Sequence, residues 1–435
     1  MPITTGRLGA SRRNEQYQSI PPPKGNLPLR KRLKHVTWAW FTLVMATGGI
    51  ASTLRSVPFR FNGLYAIGVV FMILNLVFFV IIWGMMFCRF YWYPYMFKLS
   101  FRHPTESLFV PAVAVSFGTI LINIVEYGSD KVGRWLNRAI LGLFWFDSGL
   151  AVTLSITIYL ILWSTQTYTI ARMTPIWIFP AYPLLIIGPH AAALAQEMVN
   201  PREALAVVIG GFTIQGIGFL VSVTVYSAFV YRLMTHKLPA ESLRPGMFVS
   251  VGPSAFTASG VIGMASNLDT ILSNWPGGSY MGMDPRLAAN ILTIVANWVS
   301  LWLWGLAIWF FFVSLVANLV CLRKPGSLPF AMTWFSFIFP QTALTKATFR
   351  VAAAFDAFPL QVVGCVMTAT LILVWFLVVG KMVHAIYKKQ VLWPETGEDK
   401  TEGGFSMPKD HDEKVVLGDV VSTSTDIGSG RTKSR

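Results

Sequence analysis

Among the ionisable side chains in or beside stretches apolar enough to sit in a bilayer, Lys346, Arg350, Asp147 and His190 stand out. An unpaired charge at membrane depth costs roughly 2.5–3.5 kcal/mol, so each needs a partner or a purpose. The two cations belong to a pattern. Ser336, Phe339, Ala343, Lys346 and Arg350 step by 3, 4, 3 and 4, the spacing of one helix face. A face carrying a hydroxyl, a phenyl ring and two cations can draw a small anion along a wet path. Lys346 reads equally as an amine snorkelling to the interface near its helix end, and Arg350 as a residue of the outer rim. Asp147 can relay a proton, pair with a cation or serve as a satisfied structural carboxyl. His190, beside Pro189, reads as a second relay group or as a hydrogen-bonded wall residue.

Neutral polar groups repeat the same steps elsewhere: Ser116, Thr119 and Asn123; Ser250, Ser254 and Thr257; Thr42, Gly49 and Ser52. The hydroxyl-bearing Thr47, Ser116, Ser254 and Thr257 can supply uncharged donors to a solute, and Gly48, Gly49 and Asn123 complete the candidate path. Asn290, Thr293, Asn297 and Ser300 show the same spacing on another segment, and polar side chains between packed membrane helices also bond one another without meeting a solute. Phe339 stands directly before Pro340, where a helix bends, so its ring is aimed by a defined kink; it can occlude a pore or pack in an apolar core.

The elements that must hold these residues are apolar and long. The chain of 435 residues is 54% hydrophobic and 13% charged, with a mean hydropathy of +0.55; that composition excludes a soluble domain and fits a polytopic all-α membrane protein. Ten segments are predicted: 37–54, 64–88, 107–125, 137–163, 176–195, 204–231, 245–267, 286–320, 329–347 and 358–385. The odd-numbered ones carry a disruptor in mid-span: Gly48-Gly49; Pro111; Pro180, Pro183 and Pro189; Pro253; Pro340. The even-numbered ones run through. Freed carbonyls are tolerated in a bilayer where neighbouring helices or water satisfy them, so five disrupted helices suggest the lining of a pathway and five intact ones its surround. A membrane domain over 36–389 is expected between a basic disordered tail at 1–35 and a polar disordered tail at 390–435. The leading stretch has no apolar core or cleavage site of a secretory signal, which leaves targeting to the first span.

Lys and Arg cluster on alternate loops and on both flanks, whereas Glu126, Asp130, Glu197, Glu203, Asp269, Asp284 and Asp356 lie on the opposite side. The positive-inside bias then puts both termini in the cytoplasm. It also accounts for the net charge of +15 without nucleic acid as a partner. Cys88, Cys321 and Cys365 have no metal-site spacing. No phosphate-binding loop, HExxH or His/Asp cluster appears, so neither an enzyme nor a cofactor is expected.

The run Arg32 to Gly49 (RLKHVTWAWFTLVMATGG), Thr174 to Pro180 (TPIWIFP), Arg244 to Phe248 leading to Val251-Gly252-Pro253, and Trp334 to Pro340 (WFSFIFP) resemble the fungal malic acid transport proteins. These are C4-dicarboxylate carriers of the tellurite-resistance/dicarboxylate transporter family, related to plant slow anion channels and fungal sulfite exporters. The resemblance covers about residues 29–389. It implies ten helices as five hairpins, odd helices lining a central pore and even helices outside, three such subunits side by side, and a pore plugged by the phenylalanine matching Phe339. The function expected is plasma-membrane transport of malate and related dicarboxylates, possible proton coupling included, with a gated channel or exporter for sulfite, nitrate or chloride as the alternative.

Overall fold

The computed structural model describes residues 27–322 and 329–393. The two tails beyond these limits, the basic pair Arg323 and Lys324, and the side chain of Asp130 lie outside the described residues. Among the described residues the chain is helical, with a lone β-bridge between Tyr280 and Met283. Ten helices carry the architecture: α1 (Phe41–Arg55), α2 (Leu64–Trp92), α3 (Ala112–Val132), α4 (Arg134–Thr165), α5 (Tyr182–Gln196), α6 (Pro201–His236), α7 (Gly252–Ala265), α8 (Pro285–Leu322), α9 (Phe339–Ala354) and α10 (Phe358–Tyr387). Eight helical segments are long and apolar enough to cross a membrane. The other two, α1 and α9, are 15 and 16 residues long, each preceded by a 3-10 turn.

Burial divides the helices into two sets. The apolar windows containing α3, α5 and α7 are 83–100% buried, and α1 and α9 are buried along nearly their whole length. Those of α2, α4, α6, α8 and α10 are only 22–39% buried, and their Phe, Trp, Ile and Leu side chains face outward, as lipid-facing surface does. The buried set closes on itself: α1 packs on α3, α3 on α5, α5 on α7, α7 on α9, and α9 back on α1. Each exposed helix covers a seam of that ring, α2 over α1 and α3, α4 over α3 and α5, α6 over α5 and α7, α8 over α7 and α9, and α10 over α9 and α1.

The disruptors act differently from a kink in mid-helix. Pro111 is the N-cap of α3, and Pro183, Pro253 and Pro340 sit in the first turns of α5, α7 and α9, where the missing N–H is no loss. The residues before them form tighter 3-10 turns, Pro175–Ala181, Glu241–Val251 and Met332–Phe337, so the buried α-helices are shorter than the apolar segments. The ninth helix therefore starts at Phe339, ten residues later than the hydrophobic pattern suggests, and runs on to Ala354. Among the described residues, only Pro189 lies within an α-helix away from its first turn. Gly48-Gly49 leaves α1 unbroken; the pair permits close approach instead, since a Cβ at Gly49 would lie 2.5 Å from Thr342 Oγ1 and one at Gly48 2.5 Å from Asn75 Nδ2. Helix α3 continues past Val125 to a stop at Gly133, whose φ of 97° favours glycine, and so takes Glu126 out of the expected loop and into its last turns.

Candidate functional site

Two cavities lie along the inside of the ring. The first is lined by Thr42 and Met45 of α1, Phe109 ahead of α3, Tyr182 of α5, Val249 ahead of α7, and Ser336, Phe339 and Pro340. The second is lined by Gly48, Gly49 and Ser52 of α1, Thr119 and Ile122 of α3, Ile186 and Pro189 of α5, Phe256 and Ser259 of α7, and Phe339, Thr342, Ala343 and Lys346 of α9. For each of the five buried helices, its first residues or those just ahead of it line the first cavity and later ones the second, so all five run the same way, their positive dipole ends toward the first.

Phe339 is common to both linings. Its ring, 3% exposed, packs 5.1 Å from Phe256 and 6.2 Å from Tyr182 and separates the two spaces. Tyr182 is fixed in turn by donating its hydroxyl to Val249 O at 2.5 Å and by stacking on Phe179 at 5.1 Å. Each cavity has ≈20 Å³ of room for the centre of a water-sized sphere. One water needs about 10–15 Å³ on that measure, so neither space admits a four-carbon acid in this conformation.

Charge is concentrated beyond the ring of Phe339. Lys346 Nζ donates to Ser52 Oγ at 2.6 Å and to Glu126 Oε1 at 2.8 Å. Glu126 Oε2 is buried without a hydrogen-bond partner. One turn on, the half-buried Arg350 lies against Gly263 of α7, where any Cβ would overlap its guanidinium; it feels the charge of Glu126 but makes no direct hydrogen bond or ion pair among the described residues. Among the described residues, two cations and one carboxylate lie at this end of the second cavity, a surplus of positive charge. That surplus suits an anion.

The remaining residues singled out by spacing turn toward neighbouring helices. Thr47 accepts a hydrogen bond from Trp375 Nε1 of α10 at 3.1 Å. Ser116 donates to Phe41 O, and Asn123 Nδ2 donates to Gly48 O, both across the α1–α3 seam. Ser254 lies 3.5 Å from the Tyr226 hydroxyl of α6, and Thr257 accepts from Gln215 Nε2, also of α6, at 2.8 Å. His190 Nδ1 faces Asp147 Oδ2 of α4 at 3.3 Å; both side chains are wholly buried behind α5, and His190 Nε2 and Asp147 Oδ1 have no hydrogen-bond partner. Of the polar run on α8, Thr293 bonds Ala265 O at the end of α7. Spacing overlooked Glu126, Tyr182 and Phe256. Only the apolar length of the third segment, read one or two turns too short, concealed Glu126.

Comparison with known proteins agrees with this geometry. Residues 35–383 match the model of the SLAC1 family, described as voltage-dependent anion channel. A malic acid transport protein of Schizosaccharomyces pombe is 31% identical over 380 residues, covering 86% of this chain and 84% of that protein. A putative malic acid transport protein of the same organism is 29% identical over 86% of this chain and 85% of its own length. A sulfite efflux pump of Trichophyton rubrum is 23% identical over 81% of this chain and 91% of its own length. The closed ring of buried helices, its cationic interior and a family match across nearly the whole membrane region lead to one assignment: this chain belongs to the SLAC1 family of anion-transporting membrane proteins.

Proposed function

We propose that the chain carries C4-dicarboxylates such as malate across the plasma membrane, through a pore on the axis of the helix ring that Phe339 gates. In this reading all ten helices span as five hairpins, α1, α3, α5, α7 and α9 line the pore, the others shield it from lipid, both termini are cytoplasmic, and three subunits stand side by side. The observation that carries it is the position of one ring, Phe339, as the shared wall of two cavities, with Lys346 and Arg350 beyond it. Support for the substrate class comes from the malic acid transport relatives. A dianion gains from two cations at close range, and transport requires that this gain stay small enough for release. Asp147 and His190 are the buried pair available to a proton in a coupled cycle.

The test is uptake of radiolabelled malate by the purified protein in liposomes, with and without a proton gradient. Saturable uptake that the gradient accelerates supports a coupled carrier. Flux of sulfite, nitrate or chloride that follows voltage, does not saturate and ignores the gradient, with malate excluded, would instead identify a channel or exporter for inorganic anions, a reading the sulfite pump similarity favours.

A further inference from the structure

The cationic end of the passage contains its own anion. Glu126 reaches from the last turns of α3 to Lys346 on α9 and takes the charge-assisted bond that an entering carboxylate would need. Its hold is partial: Oε1 makes the bond at 2.8 Å, while Oε2 is buried and has no hydrogen-bond partner. A carboxylate can accept about four hydrogen bonds, so this one is far from saturated.

Around it stand unused donors. Ser52 lines the second cavity and accepts from Lys346, yet its own hydroxyl proton donates to no group among the described residues. Arg350 presents a guanidinium without a direct partner one turn from Lys346. The ammonium and the hydroxyl are donors at the second cavity, the guanidinium lies one turn farther along α9, and Glu126 presently occupies the strongest donor of the three.

We propose that Glu126 is a resident counter-ion that yields Lys346 to the transported anion on taking up a proton. With Glu126 ionised, Lys346 is neutralised and only Arg350 attracts an anion. A proton from solution added to the carboxylate gives the neutral acid, removes its claim on Lys346 and leaves that cation uncompensated at the cavity, with Arg350 one turn beyond. One proton and one anion then occupy the site together, and loss of that proton to the far side restores the ion pair and expels the anion. Groups from three helices stand around Glu126: Lys346 and Arg350 come from α9, Tyr127 from its own helix, and Arg55 from α1, whose Nε bonds the backbone oxygen of Glu126 and so anchors the main chain while the carboxylate changes state. The cations favour the ionised carboxylate, so its protonation goes with the arrival of the anion, which compensates them. The inference rests on the proposed passage conducting anions, and it assigns coupling to Glu126 instead of the Asp147–His190 pair, which lies behind α5.

Glu126→Gln keeps the shape and an oxygen for Lys346 but cannot ionise. In liposomes at neutral pH its KM for malate is expected to fall about tenfold below wild type, from coupling energies of ~1.5 kcal/mol or more for close charge pairs. The ratio of the two KM values should approach one as the pH is lowered, since wild type then resembles the variant; taking the ratio cancels the titration of malate itself. In weakly buffered solution, wild type should take up protons as anion binds and the variant none. In a Lys346→Met background, Glu126→Gln should lower KM by less than it does with Lys346 present, because only the repulsion by the carboxylate is then removed; a general folding defect would not show that dependence on Lys346. A KM ratio independent of pH, or equal proton uptake by both proteins, would overturn the assignment. Failure of the dicarboxylate reading looks different: wild type then moves nitrate or sulfite but not malate, and the same comparison is made on nitrate, whose charge does not change with pH. A protein that moves none of these anions refutes both.

Discussion

Replacing Phe339 by alanine should open the passage, and the size of the effect can be worked from the ring's neighbours. The ring is held by two aromatic contacts, with Phe256 at 5.1 Å and Tyr182 at 6.2 Å. Such pairs are worth about 0.5–1.5 kcal/mol each beyond their buried area. If the ring must leave both to let an anion pass, it adds ~1–3 kcal/mol to the barrier, and its removal should raise maximal flux roughly 5–150-fold. The two cavities, each of ≈20 Å³ and sharing the Phe339 wall, would merge in the variant. Stability should drop by about 3 kcal/mol, the lower end for a buried Phe→Ala change, because the ring borders space on two sides. The assay is initial anion uptake in liposomes at matched protein density, with gel filtration to show that the variant is folded. Phe339→Leu, which keeps an apolar plug without the ring pairs, should fall between the two. Unchanged maximal flux from well-folded Phe339→Ala would refute the gate, as would an equal rise for Phe179→Ala, whose ring stacks on Tyr182 but lines only the first cavity.

Three further outcomes follow from contacts in the ring and beside it. Lys346→Met removes the cation that joins α9 to Ser52 and Glu126, and should raise KM for malate at least about tenfold while leaving a folded protein, read from uptake kinetics and thermal unfolding in detergent. Gly49→Ala puts a methyl 2.5 Å from Thr342 Oγ1, so α1 and α9 must separate; overpacking of this kind costs about 1–3 kcal/mol, and a lowered unfolding temperature with reduced uptake is expected. Arg89→Met strands Glu106 in a wholly buried ion pair held at 2.6 Å, which should cost about 3–5 kcal/mol and show as loss of folded protein, whereas replacing both partners by apolar residues should recover most of it.

The helical, membrane-crossing character was readable from composition and segment length, because both report directly on the solvent the chain must face. The places where the buried helices are interrupted were readable from proline. What the prolines do was less so: Pro253 and Pro340 look like mid-span kinks in a hydrophobic stretch, yet they start α-helices, because the preceding residues coil more tightly as 3-10 turns that hydropathy does not distinguish. Steps of three and four identify a helix face but not what that face meets. Ser336, Phe339, Ala343 and Lys346 do turn to the cavities, whereas Ser254 and Thr257, equally well spaced, turn to α6. Glu126 was hidden by its position at the end of an apolar run, where a carboxylate looks like loop.

The polar residues of the outer helices explain how the inner ones can be short and interrupted at all. Gln215 of α6 accepts from Gly188 N, next to the proline inside α5, and donates to Thr257 of α7. Tyr226 of α6 bonds Ser250 O ahead of α7, Trp375 of α10 bonds Thr47 of α1, and Trp304 of α8 donates to Thr348 of α9. In hydrocarbon an unsatisfied backbone group costs several kcal/mol, and these side chains supply partners without water. The outer layer is thus a source of hydrogen bonds to the ring as well as a barrier to lipid. Because those bonds come from behind, Ser52 and Lys346, which line the second cavity, are not consumed in holding the outer helices and bond each other and Glu126 instead. A ring whose own stability consumed its axial polar groups could not bind and release an anion; here the two demands fall on opposite faces of the same helices.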